Sequence, residues 1–320
     1  MEIRLIKGIS FIPLMVLGIP GNVYIMIKFI LVRVIEKKLL PTNIILLVLA
    51  LMNLLVLLAR GTPQYMYTTG LELLLDDATC KLIVYTFRVS RAMSISLTSL
   101  LSCHQCILIA PSTRVWIYLK PRVSQNMVVI VTIILIINIL LYPSSAIYAQ
   151  ARHNSTYSPY TLHLISCTTD FLTQVSFIIN GTLLVIKDFI LVALMTLASS
   201  YIVSVLLNHK KNIKDMRSSH NINKSVEDRV SRAVILLVIL YVTLFGLDNF
   251  LWIYSMFHSG PDMNDARVIL ACSYSALSPI LIIATNPKLH VEFQCLKQLD
   301  VQDCKQKDLE TKTQLSFVSY

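Results

Sequence analysis

Charge is what this chain is short of. Asp, Glu, Lys and Arg make up 14% of its 320 residues, against 55% hydrophobic residues and a mean hydropathy of +0.66. A soluble domain has no use for so apolar a surface, and a disordered chain cannot carry it. Catalytic signatures are missing too. There is no HExxH, no Gly-x-Ser-x-Gly and no Walker loop, so the chain reads as no enzyme and as needing neither metal nor cofactor. No internal repeat is evident, and the one Pro-Gly break, Pro20-Gly21, has no mirror elsewhere. That argues against a transporter built from paired broken helices. The last apolar run, 267–285, has no lysine for a retinal Schiff base. A carboxylate dyad for proteolysis within the bilayer needs two aspartates at that depth, and only Asp248 qualifies.

What the chain does have is apolar length. Seven runs, about 9–31, 43–62, 82–108, 127–147, 187–207, 232–254 and 267–285, reach the roughly 20 residues that cross a bilayer. Backbone groups in lipid must be satisfied within the segment, and the runs lack the alternation of barrel strands, so they read as helices. The predicted fold class is an all-α membrane protein, a seven-transmembrane-helix bundle over 9–285. A short segment 1–8 precedes it and a tail 286–320, disordered beyond a short juxtamembrane helix, follows. Lys187 and Asp188 stand at the outer edge of the fifth run. The run from Ile9 is too long for a signal-peptide core and lacks an A-x-A-type cleavage site, so it reads as a retained first helix.

Basic residues orient the bundle. Loops 32–42, 109–126 and 208–231 carry 3, 3 and 6 lysines and arginines, while 63–81, 148–186 and 255–266 carry 1, 1 and 0. The first set belongs in the cytosol, which puts the N-terminus outside and the C-terminus inside. Arg4 and Lys7 pull weakly the other way. The net charge of +10 is accounted for by cytosolic loops beside anionic membrane lipid. No basic face on a soluble module suggests nucleic acid.

Of seven cysteines, only Cys80 and Cys167 face the oxidising side in this topology. They read as one disulfide that pins the long outer loop over the third helix, with two free thiols as the alternative. Cys103 and Cys106 read as packing residues; Cys295 and Cys304 are either palmitoylated or plain reduced tail thiols. The sequons at Asn154 and Asn180 fall in the same outer loop and are the glycosylation candidates, Asn154 the better placed; that at Asn223 falls in a cytosolic loop.

Several strings at fitting spacing carry a resemblance. They are Gly21-Asn22; NLLVLLARGTPQ over 53–64; RVSR over 88–91 with SLLS over 99–102; APSTRVW over 110–116; Tyr142-Pro143; and Gly246-Leu247-Asp248 with Tyr254. In these the chain resembles the type 1 vomeronasal receptors, G-protein-coupled pheromone receptors, from the first helix to the sixth. The resemblance implies a small-molecule chemosignal as ligand, a Gi/Go-type heterotrimeric G protein as partner, and a plasma-membrane location. Departures are visible. His104-Gln105-Cys106 stands where rhodopsin-like receptors have Asp-Arg-Tyr, and Asn53 where many have a sodium-binding aspartate. The sixth helix has no proline to act as a hinge. The string ATNPKL over 284–289 also resembles bitter-taste receptors, which makes them the alternative family.

Arg88 and Arg91 are three residues apart on one face of the third helix, about 12 and 16 Å below Cys80 at 1.5 Å per residue. Cations there are costly unless they face a cavity or a partner. Asp248 lies at comparable depth in the sixth helix and pairs with one of them at most. The second arginine then calls for an anionic ligand, in a pocket between helices three, five, six and seven lined by Arg88, Arg91, Asp248, Asn249 and Tyr254. On the cytosolic side Arg114, Lys120, Arg122, Lys210, Lys211 and Arg217 are candidate G-protein contacts; their simpler reading is charge that sets topology.

Overall fold

Tight helix-to-helix packing starts at the first span, where two glycines leave no room for a side chain. A Cβ on Gly18 would lie 2.6 Å from Leu57 Cδ1 and 2.9 Å from the Cα of Ala276, and one on Gly21 would lie 3.0 Å from Pro279. Between them Asn22, fully buried, donates to the carbonyls of Gly18 (2.8 Å) and Ser275 (2.9 Å). The first span is thereby fastened to the seventh by small residues and one amide, the usual means where lipid removes the hydrophobic drive between helices. Gly18→Ala is expected to cost about 1–3 kcal/mol by overpacking, since the Ala276 contact is backbone and cannot rotate away. Alanine's better helix propensity returns at most about 1 kcal/mol. A lower thermal midpoint of the detergent-solubilised protein checks this.

The computed structural model describes residues 2–37, 39–68, 75–110, 114–151, 161–163, 167–170, 173–215, 222–257 and 261–285. Its helices are α1 (Glu2–Glu36), α2 (Pro41–Val56), α3 (Thr62–Thr68), α4 (Asp77–Ile109), α5 (Arg114–Gln125), α6 (Met127–Leu141), α7 (Pro143–Ile147), α8 (Gln174–Asp215), α9 (Ile222–Phe257) and α10 (Pro261–Thr285). Six stretches are long and apolar enough to cross a membrane, in α1, α2–α3, α4, α8, α9 and α10. The remaining apolar run, 127–147, is α6 and α7, divided only at Tyr142, where Pro143 lacks the N–H that would continue the ladder. A broad lateral surface of leucine, isoleucine and valine, including Ile133, Leu140, Leu183, Ile190, Leu197 and Ile239, suits hydrocarbon and not water. On that side of α8, Thr196, Ser200 and Ser204 each donate to the carbonyl four residues back (2.7–2.9 Å), so none of these hydroxyls is left bare in lipid.

The structure departs from the sequence expectations in three places. The apolar stretch of the fifth span is Val185–Val205, but the helix that carries it, α8, starts earlier and runs unbroken from Gln174. Lys187 does not end it because its charge is met inside the bundle: Nζ lies 2.9 Å from Tyr142 Oη, 3.4 Å from Asn138 Oδ1 and 3.3 Å from Asp188 Oδ1. Asn180 therefore stands on a helix and not in the long loop before it. That loop, in turn, is not plain coil. Strands β1 (Ala149–Ala151), β2 (Thr161–His163) and β3 (Cys167–Asp170) form an antiparallel sheet in the order β1-β3-β2, with Ala151 opposite Cys167. The all-α expectation thus holds for the spans and fails for this cap. Third, α2 and α3 are joined by a π-helical turn, Leu57–Gly61. Pro63 cannot donate to the carbonyl of Ala59, and widening the turn relieves that clash.

Cys80 and Cys167 are joined by a disulfide with Cα atoms 5.7 Å apart. Below the sheet it closes a small core with Val84, Ala149 and Ala151. Asp76 caps α4 by accepting from Thr79 N at 3.3 Å, and the hydrogen bonds from Thr79 hold its carboxyl below the ordinary value. Asp77 accepts from Ala151 N at 2.6 Å, tying β1 to the same helix end. Asn154, Arg217, Cys295, Cys304 and the whole segment 286–320 lie outside the described residues.

Candidate functional site

The half of α4 nearer Cys80 carries the site. Its two arginines do not behave alike. Arg91 Nη2 donates to Asp248 Oδ2 of α9 at 2.7 Å, with Asp248 only 10% exposed at its side chain. Arg267 of α10 brings its Nε to 3.5 Å from the other carboxylate oxygen, Oδ1. Asp248 therefore bridges the third, sixth and seventh spans. Arg88, one turn above Arg91, makes no ion pair or hydrogen bond among the described residues, though it lies within electrostatic reach of Tyr142, Arg91 and Arg267.

A second polar group stands beside the first. Lys187 of α8 is held by Tyr142, Asn138 and Asp188, and its ammonium is 5.1 Å from the centre of the Tyr142 ring. Asn138 carries the connection back to α4 through Ser96 at 3.4 Å. Among the described residues, Arg88, Arg91, Lys187 and Arg267 stand near Asp188 and Asp248. Counted over these side chains the belt has a formal charge of +2 inside an apolar bundle, where unneutralised charge is expensive.

Beneath Arg91 and Asp248 lies a cavity of about 30 Å³ whose polar walls are Arg91, Ser94, Asp248, Tyr274 and Ser275. It is bordered by α2, α4, α9 and α10, and α8 contributes no side chain to it. Tyr241, Phe245 and Tyr274 form its aromatic floor, with ring centres 5.0 and 5.9 Å apart. Tyr274 Oη hydrogen-bonds Thr98 at 2.7 Å. Deeper still, Asn53 fills the place of the sodium-binding aspartate. Its Oδ1 accepts from Ser94 (2.7 Å) and Ser275 (3.3 Å), and its Nδ2 donates to Ser278 (2.8 Å). The amide's groups are matched by neutral hydroxyls, so this node is held together without a cation.

Of the five residues expected to line a pocket, the structure joins Arg91 to Asp248 and leaves Arg88 nearby. Asn249 is turned onto its own helix, donating to the Phe245 carbonyl at 2.7 Å. Tyr254 is on α9, and its side chain lies outside the described residues. The small cavity at the ion pair is bordered by spans two, three, six and seven, while Lys187 of the fifth is engaged with Tyr142 and Asn138. Three contributors escape a reading of the sequence. Arg267 reads there as a boundary residue, Lys187 as an outer-edge charge, and Tyr142 as the end of a helix. Each is polar at the rim of an apolar run, a signal that hydropathy averaging discards.

At the other end, His104 is buried and neither ring nitrogen has a hydrogen-bond partner among the described residues, so there it packs and does not cap. Lys120 Nζ donates to the Ala110 carbonyl at 2.8 Å, closing the C-terminus of α4. Arg114 and Arg122 are exposed on α5, which turns by 69° into α6. Lys210 and Lys211 are on α8, with side chains outside the described residues.

A bundle of apolar spanning helices that encloses charged side chains under a disulfide-pinned cap defines a multi-pass membrane protein of the seven-helix receptor class. The family model of the vomeronasal organ pheromone receptors matches residues 5–295. Olfactory receptor class A-like protein 1 of Danio rerio is 36% identical over 293 residues, covering 91% of this chain and 92% of that protein. Vomeronasal type-1 receptor 1 of Gorilla gorilla gorilla is 28% identical over 286 residues, covering 88% and 81%. The protein of that name in Homo sapiens is 28% identical over 283 residues, covering 88% and 80%. The chain belongs to the vomeronasal organ pheromone receptor family, and is a chemosensory G-protein-coupled receptor whose partners are a small-molecule ligand and a G protein.

Proposed function

We propose that this receptor works at the plasma membrane with its N-terminus outside, binds a small amphipathic anion between its outer helix ends, and signals through a Gi/Go-type G protein. Arg88 carries the reading. It is a guanidinium within the bundle, without a counter-ion among the described residues, beside a belt that already holds excess positive charge. A carboxylate or sulfate supplies the missing charge through paired hydrogen bonds. Arg91, paired with Asp248, borders the same site, and Asn249 and Tyr254 are its wall residues on the sixth span.

The cavity at the ion pair, about 30 Å³, is a water's size, whereas ligand pockets run to roughly 300–1,000 Å³. Binding therefore needs the helices to part. The ligand selects a more open arrangement and shifts the population by its preference for that arrangement. On the inside, Arg114 and Arg122 of α5 are candidate contacts of the G protein, as are Lys210, Lys211 and Arg217 by their place in the sequence, and Lys120 braces the end of α4 from α5.

The test is expression with a promiscuous G protein and a calcium readout, screening steroid sulfates and aryl carboxylates, each beside its uncharged parent. Arg88→Gln is expected to lower the potency of acids by about ten- to a hundred-fold, the worth of a charge-assisted hydrogen-bond pair, and to spare the parents. Equal loss on both sides sinks the anion reading. Pertussis-toxin sensitivity of the native coupling tests the Gi/Go assignment.

A further inference from the structure

We propose that Arg267 is a ligand-binding residue: with Arg88 it forms a two-arginine clamp, one jaw on the third span and one on the seventh, that grips a single carboxylate, sulfate or phosphate group. The inference rests on the anion-binding reading above and adds to it a residue and a geometry.

Among the described residues, carboxylate oxygens are in short supply at this level of the bundle. Asp248 gives its short, aligned hydrogen bond to Arg91, 2.7 Å from Oδ2. Arg267 Nε stands 3.5 Å from Oδ1, is buried, and makes no hydrogen bond there. The next carboxylate, Asp188, is taken by Lys187 at 3.3 Å. Among the described residues one carboxylate thus serves two guanidiniums, Arg91 closely and Arg267 at a longer distance, and Arg88 has none. Arg88 and Arg267 lie within electrostatic reach of each other. A buried N–H without a partner is costly, and guanidinium forks match the two oxygens of a planar or tetrahedral oxyanion. A purely structural bridge between α9 and α10 has no reason to leave Nε misaligned.

The arrangement also gives binding a mechanical consequence. An anion between Arg88 and Arg267 competes with Asp248 for the seventh-span arginine. Drawing Arg267 off Oδ1 loosens α9 from α10 while Arg91 still holds α4 to α9. Ligand binding is thereby coupled to the position of the sixth span relative to the seventh.

The full receptor, its surface level measured by biotinylation, is challenged with the same paired steroid sulfates, aryl carboxylates and uncharged parents. Arg267→Gln is expected to cut acid potency about ten-fold or more while leaving the parents within about three-fold. Arg267→Lys, which keeps the charge and the fold but not the fork, falls between wild type and glutamine. The Arg88→Gln/Arg267→Gln receptor should answer acids and their parents alike. If Arg267→Gln weakens acids and parents equally, or Arg267→Lys leaves the acid preference at the wild-type value, the clamp is overturned. If Arg88→Gln removes the preference and both Arg267 variants keep it, the clamp fails and the anion-binding reading stands. If no variant alters it, or the wild type shows no preference, both fall.

Discussion

Replacing Asp248 by alanine should remove most of the folded receptor from the cell surface. The carboxylate stands between Arg91 at 2.7 Å and Arg267 at 3.5 Å, so its loss leaves both arginines without an ion-pair partner among the described residues. Removing one partner of a buried pair costs about 3–5 kcal/mol, because the remaining charge is stranded. Two stranded partners put the loss at the upper end, although the partial exposure of Arg91, 31% at its side chain, tempers it. Asp248→Asn keeps a hydrogen-bond acceptor and should do less harm. The exchange Arg91→Asp/Asp248→Arg should recover part of the loss, since the pair is restored with its direction reversed. Surface biotinylation and the thermal half-life in detergent measure both effects. A surface level for Asp248→Ala within two-fold of wild type contradicts this expectation. A steroid sulfate in the growth medium should raise the yield of Asp248→Ala by a larger factor than that of the wild type, because an anion bound only to the folded state stabilises it by mass action and the less stable variant has more to gain.

The seven apolar runs were legible because lipid imposes one rule on every spanning segment, and the Cys80–Cys167 bond because topology isolates those two thiols. The third-span arginines were legible for the same reason: charge stands out against an apolar run. The choice of Arg91 over Arg88 as the partner of Asp248 was not, since both share a helix face and only the azimuth of α9 separates them. Nor was the early start of the helix that carries the fifth span, at Gln174. Lys187 looks like the end of a helix until Tyr142 and Asn138 of another helix are known to be there. The three-stranded cap escaped notice because strands of three and four residues, β1 to β3, carry no periodicity to read. Their pairing comes from the tether at Cys167.

Breaking that tether should have an effect nearly as large. Cys80 and Cys167 are 87 residues apart in sequence, and closing a loop of that order restrains the unfolded chain by about 4–5 kcal/mol in the chain-entropy account. The bond also holds β3, and through its register Ala151 of β1, against the end of α4. Cys80→Ser and Cys167→Ser are each expected to bring surface expression below about a tenth of wild type, and the double variant should be no worse than either, because all three lack the same bond. Serine at Cys103 or Cys106, which are free thiols toward the other end of α4, should leave expression unchanged. The comparison also bears on orientation. A bond between these two cysteines forms only where the oxidising side of the membrane faces the start of α4, and the sequence places Asn154 in the same loop as Cys167. Loss of a glycan in Asn154→Gln, read as a mobility shift, would place the loop outside. A full-size glycan retained at Asn223 would put α9's N-terminal end there and contradict the topology on which both arginine sites depend.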